Sequence, residues 1–144
     1  MGKINAARVL LGGLLAGVVI NISEFFWNGV VFMKDMQDAM AKLGRTMDTG
    51  AATMAIFIAW GFLVGILAVW LYAGVRPRFG AGPRTAIRAG LMMWLLVYVQ
   101  ATISMAPMGL FPARLILISL PTTLVEIVLA TWLGARLYKE EAAA

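Results

Sequence analysis

Between residues 9 and 33 the chain carries one charged side chain, Glu24; it carries none between 49 and 75, none between 89 and 113, and only Glu126 between 115 and 135. Each interval is about the ~20 residues that an α-helix needs to cross a ~30 Å hydrocarbon layer. The intervals therefore predict an all-α membrane protein. The expected architecture is a four-helix transmembrane bundle with spans at about 7–33, 51–75, 85–106 and 112–137, in one integral domain covering 1–144. Composition agrees: 62% of residues are hydrophobic and 13% charged, against roughly 45–50% and ~25% in soluble domains. The first apolar run continues through Phe25, Phe26, Trp27 and Val30 to Met33. That is too long for the h-region of about 7–15 residues in a signal peptide, so it reads as a retained span.

The basic residues gather at span ends. Of twelve, Lys3, Arg8, Arg76, Arg78, Arg84, Arg88, Arg136 and Lys139 flank one set of ends, while Lys34, Lys42, Arg45 and Arg114 flank the other. Positive charge is retained on the cytoplasmic side, so both termini and the Arg76–Arg88 loop are expected there, in a cell inner (plasma) membrane of multi-pass topology. The net charge of +5 thus belongs to the lipid bilayer as partner; no basic aromatic surface points to nucleic acid.

With no cysteine and no histidine, the chain has no disulfide or thiol redox chemistry, no imidazole shuttle, and none of the usual haem, zinc or copper ligand sets. No cofactor is expected. Met33, Met36, Met40, Met47, Met54, Met105 and Met108 cluster towards the outer side, and thioethers suit Cu(I). The apolar face of an interfacial helix accounts for them as well, and no metal site is expected.

Polar residues inside the spans are the candidates for function. Gly13, Gly17, Asn21, Glu24 and Asn28 recur at steps of three or four, which puts them on one helical face. Glu24 lies ten residues before Lys34, or about 15 Å below the outer charged ring. Glu126 lies twelve residues after Arg114, about 18 Å from that ring, among Ser119, Thr122, Thr123, Ala130 and Gly134 at the same spacing. Both glutamates are expected near the bilayer midplane, facing each other, with Asn21, Asn28, Thr122, Thr123 and Gln100 shaping a polar pocket. No lysine or arginine reaches that depth to neutralise them, so the site calls for a proton or a hard cation. The alternative is a hydrogen-bonded network that only fixes helix register.

Elsewhere, Met33–Leu43 is amphipathic and predicts a short helix on the outer surface, ended by Gly44. Asp48 or Thr49 is placed to cap the second span. Gly61-x3-Gly65 has the small-residue spacing of a close helix–helix approach, within one bundle or as a seam between copies. Pro77, Pro83 and the glycines of Gly74–Pro83 predict a break in the helix there. Pro112 suits the first turn of the last span.

The N-x-x-E pattern followed by WNGVVF, the loop YAGVRPRFGAGPRTAIRAGL and the LFPARL before a glutamate-bearing span resemble small bacterial four-span membrane proteins of unknown function. The resemblance covers nearly the whole chain and implies no activity. In architecture the chain is also similar to small multidrug resistance transporters, with four spans and a glutamate in the first. It is longer, carries a second glutamate at depth, and has a charge bias against dual topology. The leading expectation is a proton- or cation-coupled carrier or channel-like protein using Glu24 and Glu126. The alternative is a structural or accessory subunit, joined through its polar stripes to a second copy (a homo-oligomer) or to a larger membrane partner. No nucleophile elbow, phosphate loop or paired-aspartate motif points to an enzyme.

Overall fold

Among the described residues, four helices are long and apolar enough to cross a membrane: Ala6–Val31, Ala51–Phe79, Pro83–Met108 and Ala113–Leu137. The computed structural model describes residues 3–140, with no strand among the described residues. Helix α1 (Ala6–Phe26) runs into a π-helical turn, Trp27–Val31, and α2 (Met33–Lys42) follows. Helix α3 (Ala51–Phe79) is the second span. The third consists of α4 (Pro83–Met93), a π-helical segment Trp94–Val99, α5 (Gln100–Met105) and a closing 3-10 turn; α6 (Ala113–Leu137) is the fourth. Helix α1 packs on α3 and α6, and α4 packs on α6 and α3.

Small side chains dominate the interior. Ala16, Ala68, Ala73, Ala86, Ala89 and Ala130 are buried beside Ile20, Val64, Val69 and Ile127, while Ile22, Phe25, Ile56, Phe57, Leu96, Ile103, Leu117 and Val125 face outward. An apolar exterior is what lipid solvates. Helices in that solvent gain nothing from hiding leucines, so they associate where small residues let backbones come close.

Two glycine seams show how close. A Cβ placed on Gly65 would stand 2.6 Å from the Gly13 carbonyl oxygen and 2.8 Å from Gly17 Cα; one on Gly13 would stand 2.5 Å from Ile66 Cα. Gly17 meets Phe62 in the same way, and Gly61 meets the Asn21 side chain. These four glycines are covered inside the chain, leaving no free seam for a second copy at that spacing. Gly134, on the small-residue stripe of the last span, meets Gly12, which the sequence spacing does not single out, in the matching approach of α1 to α6: a Cβ on Gly134 would lie 2.5 Å from the Gly12 carbonyl oxygen.

At the end where α1 begins and α6 ends, the helix does not break where its prolines suggest. Helix α3 runs through Pro77 to Phe79. A proline so near a helix C-terminus removes only one backbone bond in a region where carbonyls are already short of partners. The reversal falls instead on Gly80 (φ +82°) and Gly82 (φ +122°), backbone states that side chains resist. The turn is held by the Gly82 N–H, which donates to the Tyr72 hydroxyl at 3.2 Å, and by Thr85, which donates to the Phe79 carbonyl at 3.2 Å. The Tyr72 and Tyr138 rings pack edge to face, 6.0 Å apart. Arg76 covers the Tyr138 ring and stands 3.2 Å from the Glu140 carboxylate.

At the other end α2 is the expected short amphipathic helix after the first span, ended by Gly44 at φ +68°. Phe32 is buried and stacks on Trp27, and Arg114 binds Asp35 at 2.6 Å, fastening α2 to the start of α6. Gly50 is the N-cap of α3, and Pro112 is the N-cap of α6, one position before its first turn. Asp48 acts from just outside: it accepts from the Gly50 N–H at 2.8 Å and from the Thr53 hydroxyl at 2.5 Å. Those bonds, Thr53 first and Gly50 second, hold the Asp48 carboxyl below the usual aspartate range.

Gly65→Ala is expected to lower stability in detergent micelles by about 1–3 kcal/mol, because its methyl meets backbone that cannot yield. Gly74→Ala, with open space around it, is expected to be neutral or stabilising by about 0.5–1 kcal/mol; denaturant titration of both variants checks the contrast. The Asp48 contribution is present above the unfolded aspartate pKa and lost as pH falls through its depressed value. Thr53→Val is expected to raise the Asp48 titration midpoint, read from carboxyl carbon shifts by NMR.

Candidate functional site

The two glutamates reach one neighbourhood from different helices. Glu126, on α6, is buried, at 5% exposure. The Tyr98 hydroxyl donates to its Oε1 at 2.8 Å. Ser23 of α1 lies near it, and Glu24, the next residue along, is close enough for the two carboxyl groups to feel each other's charge. Glu24 is half-buried and accepts from the Asn28 side-chain amide one turn on. Tyr98 lies within electrostatic reach of both acids. No lysine or arginine pairs with either glutamate: the ion pairs among the described residues are Arg76–Glu140 and Arg114–Asp35, both near span ends.

Depth differs from the sequence expectation for one of the pair. Glu126 stands one residue from the midpoint of the 25-residue α6. Glu24 stands five to six residues past the midpoint of Ala6–Val31, an outward offset of about 8 Å. The site is therefore off-centre, on the side of α2.

Asn28 and Tyr98, which donate to the glutamates, both lie in π-helical turns. Asn28 lies in Trp27–Val31, where the Phe32 N–H reaches back five residues to the Trp27 carbonyl at 2.7 Å. Tyr98 lies in Trp94–Val99, where the Gln100 N–H bonds Leu95. A wider turn inserts a residue and rotates the face beyond it, which is why such turns recur where a side chain must be re-aimed. The second is pinned to α6 by Trp94, whose indole N–H donates to the Leu120 carbonyl at 3.1 Å, and closed by Thr102, which donates to the Tyr98 carbonyl at 2.7 Å.

The remaining polar candidates are engaged elsewhere. Asn21 donates to the Gly17 carbonyl at 2.8 Å and across to the Ile58 carbonyl at 3.2 Å, so it joins α1 to α3. Thr122 bonds the Ile118 and Ser119 carbonyls, and Thr123 bonds Ser119 and Leu120, next to Pro121, which α6 passes without a break. Their hydroxyls thus turn back on their own helix. Gln100 is exposed and donates to Ser104 at 3.2 Å; it does not join the carboxyl groups, because the π-helical segment preceding it resets the face α5 presents.

Sequence reasoning passed over Tyr98 and Ser23. Tyrosine commonly sits at the membrane interface, and the signal that marks Tyr98 is its position well inside a charge-free interval. Ser23 was legible only as the neighbour of Glu24. Comparison with known protein families, with curated proteins and with solved structures returns no match for the chain.

Tyr98→Phe is expected to destabilise the bundle by about 1 kcal/mol, since the Glu126 carboxyl loses a donor. The loss should be smaller in a Glu126→Gln background, and a double-mutant cycle of unfolding in micelles isolates the coupling.

Proposed function

We propose that this protein is a proton- or cation-coupled carrier or channel-like protein of a cell's inner membrane, with both termini cytoplasmic, in which Glu24 and Glu126 form the exchange site. One observation carries the reading: a buried glutamate and a half-buried one, on different spans, share a neighbourhood with hydroxyl and amide donors and, among the described residues, neither belongs to an ion pair. An unpaired carboxylate in a low-dielectric interior is costly, so it acquires a proton or a cation, and ionisable groups at such depth commonly mark ion pathways. In this reading Tyr98 and Asn28 supply the hydrogen bonds that hold each carboxyl in place as its occupant leaves and returns. The π-helical turns that carry them give the site backbone that can rewind. Access runs from the α2 side, towards which Glu24 is displaced.

A second reading is a structural or accessory membrane subunit without transport. It is supported by the hydrogen bonds that already commit Asn21, Thr122 and Thr123 within the chain. Native mass spectrometry from cell membranes separates the two, because an accessory subunit travels with an unlike chain.

In proteoliposomes under a pH gradient, the double substitution Glu24→Gln with Glu126→Gln is expected to bring flux to the empty-vesicle level while circular dichroism stays helical. Flux equal to that of the unsubstituted protein would remove the proposal.

A further inference from the structure

The outer surface carries two shallow apolar grooves of similar size, about 450 and 530 Å³. The smaller runs between α4 and α6, walled by Ile87 and Leu91 on one side and by Val125, Val128, Leu129 and Trp132 on the other. The larger lies along the outer half of α3, around Ile56, Phe57, Trp60 and Leu63. The α4–α6 groove has an arginine on each of its walls, towards one end.

On α4, Arg84 precedes Ile87 by three residues and Leu91 by seven, so it continues the same wall towards the end where α4 begins and α6 ends. On α6, Arg136 follows Trp132 by four and Leu129 by seven and continues the opposite wall in the same direction, since the two helices run antiparallel. The Arg136 guanidinium lies over the Trp132 ring, 3.9 Å from its centroid, so the cation sits directly on a groove-lining side chain. Neither arginine belongs to an ion pair among the described residues. The groove on α3 has no arginine or lysine within α3 except Arg76 and Arg78 at the far end of that helix.

We propose that the α4–α6 groove is a binding site for an anionic phospholipid, one acyl chain lying between the two helices and the phosphate held between Arg84 and Arg136. The groove supplies an apolar slot bounded by packed helices, and the two guanidiniums supply paired donors where a headgroup stands. Arginine is suited to that role because its planar fork meets phosphate through two hydrogen bonds. A second copy of the chain would bring its own arginines to the same mouth, which like-charge repulsion disfavours.

Native mass spectrometry of the full chain from micelles tests this, with phosphatidylglycerol and phosphatidylcholine offered at equal concentration. Retention of the anionic lipid is expected to exceed that of the zwitterionic one by roughly thirtyfold, about five- to sixfold per arginine. Arg84→Gln with Arg136→Gln should abolish the preference. Arg45→Gln with Arg78→Gln, which removes the same charge elsewhere, should preserve it. Leu129→Trp, which fills the groove and leaves both arginines, should reduce retention of the anionic lipid. Equal retention of the two lipids, an equal effect of the control pair, full competition by water-soluble glycerophosphate, or a lipid-free dimer that the Leu129→Trp change dissociates would each overturn the assignment.

Discussion

Lipid offers no hydrogen-bond partner, and this structure follows from how the chain copes with that. Each span bonds its own backbone, which fixes helices, and each polar side chain within a span must find an acceptor or donor inside the protein. Most do so locally. Thr102, Thr122, Thr123 and Thr131 donate to carbonyls one turn back on their own helices. Asn21 reaches both its own helix and the next. The glutamates are the residues for which a local bond is not enough, because a carboxyl group offers more acceptor capacity than one amide or hydroxyl satisfies.

The same solvent removes the usual reason for helices to associate. In its place the bundle uses surface fit: Gly13, Gly17, Gly61 and Gly65 close α1 on α3, and Gly12 and Gly134 close α1 on α6. The consequence for the site is direct. With α1 drawn tightly to α6 at one end by Gly12 and Gly134, Ser23 and Glu24, about three turns further on, come up beside Glu126. Packing where α1 begins and α6 ends thus positions the polar cluster two to three turns away.

The third span shows how a local irregularity redirects chemistry. A regular helix through Trp94–Val99 would keep Tyr98 and Gln100 at the phases that a 3.6-residue repeat gives them. The π-helical segment alters that phase, bringing Tyr98 to Glu126 and leaving Gln100 on the exterior. Trp94 holds the segment against α6 through the Leu120 carbonyl. Stability and site geometry therefore share one stretch of backbone, and substitutions of Trp94 act on both.

The four helices, their order, the short amphipathic helix after the first and the burden of two uncompensated acids were all legible in the sequence, because charge spacing against membrane thickness is a one-dimensional property. The helix through Pro77, the π-helical turns, the Gly12–Gly134 approach and the selection of Tyr98 over Gln100 were not. Each depends on which faces of distant segments meet, and a periodicity argument assumes one unbroken phase along a helix. Sequence alone determined that Glu24 and Glu126 lie inside membrane-length helices without a cation beside them in the chain. Only the tertiary structure decided that they come into one neighbourhood, each with its own donor, because the rotation and offset of each helix are set by the glycine contacts with its neighbours.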